Sequence, residues 1–298
     1  MTQLNEQKRL GFIGIGLMGK PLTLRLLQAG FQVNVWNRSV EKLTAVTDQG
    51  AVACDSITDL VQASEVIILC LADNQAVREV IEHGILNSTA SHKLIIDLSS
   101  IHPETTRELA LKLQKKCAIS WVDAPVSGGT IGAEQGTLAI MAGGREEDIA
   151  IARAVLKPLY QQLTHMGELG TGQITKICNQ MIVSCNVLVI AEMIALAKKA
   201  GVDAAKIPLA LAGGFADSIP LQRVAPEMVA EKFEPVKWRV KTLLKDLTMA
   251  VDISSQQGNS IPMSALAAQL MQLHGSQGFL EQDPSTLIKL FTENNAEI

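Results

Sequence analysis

A doubly wound, mainly parallel α/β sheet followed by an all-α C-terminal domain is the fold class this sequence predicts. Three observations carry it. Short, almost continuous apolar runs alternate with helical spacing through the first half; a glycine-rich turn follows the first run; and past about Gly170 the strand-like runs stop and apolar-periodic segments take over. The chain has 298 residues, 47% of them hydrophobic and 19% charged, enough for about two domains with ample core.

The runs are "LGFIGI" (10–15), "QVNVWN" (32–37), "VIILCL" (66–71), "LIIDLS" (94–99), "SWVDAP" (120–125) and "LAIMAGG" (138–144). A strand covered by helices on both faces reads as a continuous apolar stretch instead of an alternating one. Between the runs lie segments such as Glu104–Lys115, with Leu109, Leu111 and Leu113, so each unit reads as strand–helix–strand. The second half predicts helices over 173–200, closed by Gly201, and over 203–213, 218–231, 238–257, 261–274 and 284–293. The boundary falls between Met166 and Gly172. This assigns 1–168 to a nucleotide-binding domain and 169–298 to a helical domain for substrate and dimerisation. The closing "TENNAEI" reads as a frayed tail.

Charge and composition exclude several functions. A formal net charge of -4, with no lysine- or arginine-rich block, offers no electrostatic footprint for nucleic acid or an anionic membrane. The cysteines at 54, 70, 117, 178 and 185 are odd in number and contain no CxxC pair, which suits reduced thiols in a cytoplasmic protein. The scattered histidines show no metal-ligand spacing, so no metal is expected. The opening "MTQLNEQKR" has no apolar core of a secretory signal. Residues 181–197 are strongly apolar but carry Asn186 and Glu192 and fall short of the roughly 20 residues of a membrane span. They are expected to pack inside the protein or a dimer.

"GFIGIGLMGK" contains Gly14-x-Gly16-x-x-Gly19 after a strand and at the head of a helix. The first glycine permits the tight turn, the second lets backbone approach a pyrophosphate, and the third lets helix pack closely on strand. This spacing, inside a βαβ unit, points to a Rossmann-type dinucleotide site with Gly14, Ile15, Gly16, Leu17 and Met18 in the turn. The second strand ends in Asn37 and Arg38, where NAD sites usually carry a carboxylate. A guanidinium pairs with a 2′-phosphate and no carboxylate repels it, so NADP(H) is favoured over NAD(H); the alternative is a solvated arginine at a helix start. Leu71, Ala72 and Asp73 end the third run, and Ser99 and Ser100 the fourth, on the same edge of the sheet. Ser99 reads equally as a turn residue before Pro103.

A second glycine-rich loop, "VDAPVSGGTIGAEQGT" (122–137), places Ser127, Gly128 and Gly129 where consecutive N–H groups and a hydroxyl can hold a carboxylate; a simple flexible loop is the alternative. In "GELGTGQITKICNQ" (167–180), Lys176, Asn179 and Gln180 share one helical face. Alcohol–carbonyl chemistry must move a proton as well as a hydride, and a lysine there can do so, with Asn179 and Gln180 as substrate-binding residues that orient the lysine and the substrate oxygens; a lysine snorkelling from the helix start is the other reading. Lys245-Asp246, inside "VKTLLKDLTMA", reads by itself as a solvated helix face.

"GFIGIGLMGKPL", "DLSSIHP", "DAPVSGG", "GTGQITKICNQ" and "LLKDL" together resemble, in order and spacing, the β-hydroxyacid dehydrogenase family over nearly the whole chain. Its members include 3-hydroxyisobutyrate dehydrogenase and tartronate semialdehyde reductase. The resemblance implies that Lys176 is the general acid and base, that Ser127, Gly128 and Gly129 bind the substrate carboxylate, and that Asn179 lies in the substrate site. It places Ser100 beside the nicotinamide and Lys245 in the cofactor cleft. Many members read K-x-x-N-N, whereas Gln180 follows Asn179 here, as in tartronate semialdehyde reductases. "GGFADS" (213–218) and Trp238-Arg239 resemble the same group, which favours a small hydroxylated semialdehyde over the branched substrate of 3-hydroxyisobutyrate dehydrogenase. Imine reductase relatives tend to lack the lysine, and a non-catalytic NADPH-binding module would not need it. The resemblance further implies a homodimer or homotetramer paired through the helical domain.

Overall fold

The computed structural model describes residues 8–292. They fall into two compact units, Met1–Lys176 and Ile177–Ile298. The strands of the first are β1 (Leu10–Ile13), β2 (Val33–Trp36), β3 (Val52–Ala53), β4 (Val66–Leu69), β5 (Leu94–Asp97), β6 (Ser120–Asp123), β7 (Val126–Ser127), β8 (Leu138–Gly143) and β9 (Tyr160–Gly167). Its helices are α1 (Gly19–Gln28), α2 (Thr44–Thr47), α3 (Ile57–Ala63), α4 (Asn74–His83), α5 (Pro103–Cys117), α6 (Gly129–Gln135) and α7 (Glu146–Val155). One sheet runs β3-β2-β1-β4-β5-β6-β8-β7, with β9 on β8. From β3 to β6 every pairing is parallel. β8 meets β6 and β7 antiparallel and β9 parallel.

Strand order reverses between β1 and β4, the point at which an open sheet of this kind leaves a crevice beyond its carboxyl ends. The apolar runs explain themselves in the packing. Leu10 and Phe12 of β1, Val66 and Ile68 of β4, and Leu94 and Ile96 of β5 join one core layer. Their neighbours Ile13, Ile67, Leu69 and Ile95 join the layer on the opposite face. Successive side chains of a strand point to opposite faces, so burial on both faces demands apolar residues at every position. The expected fold class is the one observed.

Three strands escaped the sequence reading. β3 is two exposed residues on the sheet edge, and β7 is two residues paired antiparallel with β8 across the intervening α6. β9 reads "YQQLTHMG", with mostly exposed residues between Tyr160 and Leu163. An edge strand with one wet face lacks the continuous apolar signature used to find the others.

The helix α8 (Thr171–Lys199) begins in the first unit and continues through the second, which adds α9 (Ile207–Leu211), α10 (Ile219–Ala230), α11 (Val240–Gln257), α12 (Pro262–His274) and α13 (Lys289–Thr292). Two expected helices are shorter or tighter. The 203–213 segment is a 3₁₀ turn over Ala204–Lys206 and then α9, which stops two residues before Gly213, itself at φ +72°. The 284–293 segment opens as a 3₁₀ helix over Pro284–Ile288, whose head is held by the Asp283 carboxylate accepting from Ser285 N. Residues 293–298, most of the tail expected to fray, lie outside the described residues.

Among the described residues α8 alone is long and apolar enough to cross a membrane, and half of its most apolar window is buried inside the protein. Val187, Ile190, Ala191 and Ile194 pack with Leu221 and Val224 of α10, Leu243 and Leu247 of α11 and Met271 of α12. The rest of its surface keeps an apolar stripe: Ile182, Val189 and Leu196, seven apart, are 71%, 56% and 70% exposed.

Candidate active site

The turn after β1 is dictated by backbone crowding. Gly14 sits at φ +105°, and a Cβ there would lie 2.3 Å from Cys70 O; at Gly19 it would lie 1.9 Å from Gly14 O. Both positions therefore require glycine for the fold itself. Gly16 differs: a Cβ there would meet nothing within 4 Å. The α1 helix that follows has no side-chain cap and no acidic residue in its first turn. Open backbone at Gly16 beside an uncapped, acid-free helix N-terminus fits a pyrophosphate, which needs close N–H approach and positive potential. Leu17 is exposed, while Ile15 is buried and its N–H donates to Asn37 Oδ1 at 2.9 Å.

Asn37 Nδ2 donates to Ser39 O at 2.8 Å. The residue at the tip of β2 thus ties the first turn to the second instead of extending outward, and the exposed Arg38 follows it. At the tip of β4, Leu71 N donates to the Ser99 hydroxyl at 2.9 Å, Ala72 is exposed, and Asp73 caps α4 by accepting from Ala76 N. Ser99 is buried, and its N–H donates to Asp97 Oδ1. Its hydroxyl is therefore taken up in joining two strand tips, while the half-buried Ser100 follows on the same loop. Gly14, Asn37, Leu71 and Ser100 all lie on the carboxyl edge of the parallel strands.

Ser127 is half-buried in β7, paired with Ala139 of β8. Gly128 and Gly129, at φ +135° and +65°, are exposed at the head of α6. A side chain would strain both backbones, so consecutive glycines here are conformational requirements.

The head of α8 is held by a buried carboxylate. Asp123, at the end of β6, accepts from Gly170 N at 2.7 Å and Gln173 N at 2.8 Å. Space for it exists because Gly143 and Gly172 have no side chains; a Cβ at either would approach an Asp123 oxygen within 2.8 Å. Burial pushes the Asp123 carboxyl up to about 6, against the pull of the Gly170 and Gln173 N–H groups and the Arg107 guanidinium. Gln173 is buried as well, its side chain bonded to Ser99 O and Ile101 N. Lys176, half-buried, follows one helical turn later and closes the first unit.

In the second unit Asn179 Nδ2 donates to Gln180 Oε1 at 2.9 Å, and Gln180 Nε2 donates to Asp246 Oδ2 at 2.7 Å. Asp246 is only 1% exposed, and Lys245 Nζ stands 3.4 Å from its Oδ1. The solvated face expected from the Lys-Asp pair alone is thus a buried carboxylate anchoring an amide chain. Asp123, Gln173 and Asp246 were missed as organising residues. The signal available for the first was an aspartate ending an otherwise apolar strand.

Two family models cover the chain. Residues 9–167 match the NAD binding domain of 6-phosphogluconate dehydrogenase, and residues 170–291 match the model described as NAD-binding of NADP-dependent 3-hydroxyisobutyrate dehydrogenase. The 2-hydroxy-3-oxopropionate reductase of Escherichia coli is 33% identical over 94% of this chain and 96% of its own length. The 3-hydroxyisobutyrate dehydrogenase of Pseudomonas aeruginosa is 35% identical over 89% and 91%. Among solved structures, Psf3 in complex with NADP+ and 2-OPP superposes with a TM-score of 0.87 at 28% identity, covering 94% of this chain and 99% of that one.

The glycine geometry separates folding from binding. Gly16→Ala is expected to unfold at the wild-type temperature and bind a pyridine nucleotide at least tenfold more weakly by fluorescence titration, whereas Gly14→Ala loses stability because φ +105° and the Cys70 contact both oppose it. Equal nucleotide affinity in wild type and Gly16→Ala would remove the pyrophosphate assignment.

Asp123 carries a pH signature. Its carboxyl holds a proton more tightly folded than unfolded (about 6 against 3.8), so the wild-type stability advantage over Asp123→Asn should decline from about pH 4 to pH 6 and stay level above, by on the order of 2–3 kcal/mol. Urea midpoints across that range test it. An advantage that instead grows with pH would mean that the folded carboxyl is depressed.

Proposed function

The chain belongs to the β-hydroxyacid dehydrogenase family of pyridine-nucleotide oxidoreductases acting on small hydroxy acids, and from that premise we propose that it reduces tartronate semialdehyde (2-hydroxy-3-oxopropionate) with NADPH. The observation that carries the reading is Lys176, one turn beyond a helix head anchored by Asp123 in the unit that bears the nucleotide turn. Held at the turn of Gly14, Gly16 and Gly19, NADPH would supply a hydride to the carbonyl carbon. The Lys176 ammonium gives its proton to the carbonyl oxygen as charge develops there, and solvent reprotonates the amine. The Ser127 hydroxyl with the Gly128 and Gly129 N–H groups holds the substrate carboxylate, and Asn179 takes a substrate oxygen. Ser100 and Lys245 act toward the cofactor, and Arg38 toward a 2′-phosphate.

Support for a hydroxylated substrate comes from the half-buried Asn179, a polar side chain oriented by Gln180, which the buried Asp246 holds in turn, and from the Escherichia coli relative. The 35% identity to a 3-hydroxyisobutyrate dehydrogenase keeps methylmalonate semialdehyde as the second reading; exchanging a hydroxyl for a methyl in such a pocket changes selectivity substantially only if the site hydrogen-bonds that hydroxyl.

One assay tests these assignments together. Tartronate, methylmalonate and succinate semialdehydes are compared with NADPH and NADH, using wild type, Lys176→Ala and Arg38→Asp. Expected are fastest turnover of tartronate semialdehyde with NADPH, a loss of about 10²–10⁴-fold in Lys176→Ala, and preference moved toward NADH in Arg38→Asp. A Lys176→Ala enzyme at wild-type rate overturns the mechanism, and a preference for methylmalonate semialdehyde overturns the substrate.

We further propose that two copies pair through the second unit. The exposed Ile182, Val189 and Leu196 of α8, with Met263, Leu266 and Leu273 of α12, form apolar helix faces of the kind that mark interfaces. Sedimentation velocity should give a dimer or tetramer for wild type and a monomer for Val189→Asp/Leu196→Asp. A monomeric wild type at micromolar concentration would rule the pairing out.

A further inference from the structure

We propose that Gln173 is a positioning residue for the reaction. Its buried carboxamide sets Ser100 in register with Lys176. The inference rests on the general-acid role given above to Lys176 and the cofactor-side role given to Ser100.

Gln173 is 0% exposed. Its Nε2 donates to Ser99 O at 2.8 Å and its Oε1 accepts from Ile101 N at 3.1 Å. These two backbone groups flank Ser100, so one carboxamide bridges it from both sides, as a neighbouring strand would. The orientation cannot invert: the carbonyl of Ser99 needs a donor and the N–H of Ile101 needs an acceptor. The residues around Ser100 are fixed independently. Ser99 N donates to Asp97 Oδ1, the Ser99 hydroxyl accepts from Leu71 N, and His102 N donates to Asn74 Oδ1 at 2.7 Å.

The backbone of Gln173 is tied down too, its N–H donating to Asp123 Oδ2. Lys176 follows three positions later on the same helix, so the two side chains occupy neighbouring positions on one face. A β6 carboxylate therefore fixes the helix that carries the lysine, and the helix in turn fixes the loop that carries Ser100. A proton donor misplaced by about 1 Å from a substrate held against the nicotinamide loses on the order of a hundredfold in rate. Asp123 and Gln173 act at that distance without touching substrate.

The test compares wild type, Gln173→Met, Gln173→Glu and Lys176→Ala, with kcat and KM followed from pH 5 to 9, NADPH affinity measured by fluorescence, and thermal unfolding as a control. Gln173→Met, which lacks both bonds, should fold and lower kcat by about ten- to a hundredfold at every pH, with KM changed less than threefold. Gln173→Glu is the rescue variant. Ionised, it sets an oxygen against Ser99 O; protonated, it restores a donor and an acceptor, so its kcat relative to wild type should recover as pH falls. Amide exchange at Ile101 should quicken in Gln173→Met and stay slow in protonated Gln173→Glu.

Wild-type kcat in a folded Gln173→Met, with Lys176→Ala inactive, overturns the positioning role alone. Wild-type turnover by Lys176→Ala overturns the functional reading beneath it. If Gln173→Met does not fold, the Glu variant decides: a kcat deficit that is the same at all pH values, or that tracks its loss of folded protein, assigns Gln173 to stability only and overturns the proposal.

Discussion

The Asp123 carboxylate at the head of α8 is the interaction on which the end of the first unit depends. An ionisable group with no exposed surface is costly unless its lone pairs are filled. Here backbone N–H groups at a helix N-terminus fill them, and the helix's own field favours the charge. Because the donors belong to Gly170 and Gln173, satisfying the carboxylate and starting the helix are one event. Gly143 and Gly172 extend the same constraint into β8 and α8, since a methyl group at either would displace the oxygens. Strand, turn and helix are thereby set to within a hydrogen-bond length around the residue that ends β6.

The nucleotide end is built on a different logic. At Gly14 and Gly19 the absent side chains serve the protein's own packing, and at Gly16 the absent side chain leaves open space. Asn37 bridges the first and second strand tips with both ends of its amide, so the β2 tip contributes geometry through Asn37 and charge through Arg38. A carboxylate at position 37 could accept from Ile15 N but could not donate to Ser39 O. That physical distinction accounts for an amide at position 37 by the fold alone, because an amide both donates and accepts.

Much of this was readable from the residues alone. The continuous apolar runs announced strands buried on both faces, and glycine spacing announced the turn after β1. The long apolar stretch starting near residue 173 announced the helix that founds the second unit. What stayed hidden depends on pairs far apart in the chain. Asp123 meets Gln173 across 50 positions, and Gln173 meets Ser99 and Ile101 across 74 and 72; no periodicity reports such contacts. Asp246 was hidden for a related reason. Lysine beside aspartate has the composition of a wet helix surface, and only the packing of α11 shows the aspartate turned inward. β9 was missed because its alternating exposure belongs to a sheet edge.

Position 180 shows how a motif departure acquires physical meaning. Where many relatives carry a second asparagine, glutamine here spans from Asn179 to the buried Asp246. A carboxylate only accepts, so it turns the Gln180 amide with its nitrogen inward; the oxygen then faces Asn179 and receives its Nδ2 hydrogen. The orientation of Asn179 is thus inherited from a carboxylate one residue removed from it in the network. Asparagine at 180 is shorter by one methylene and spans less of the distance between those two groups. The residue at 180 therefore acts through the amide it orients, and the Gln180 carboxamide is itself occupied inside the protein. Asp123 within the first unit and Asp246 within the second serve the same physical purpose: each converts the cost of an interior charge into a fixed direction for a neighbouring amide.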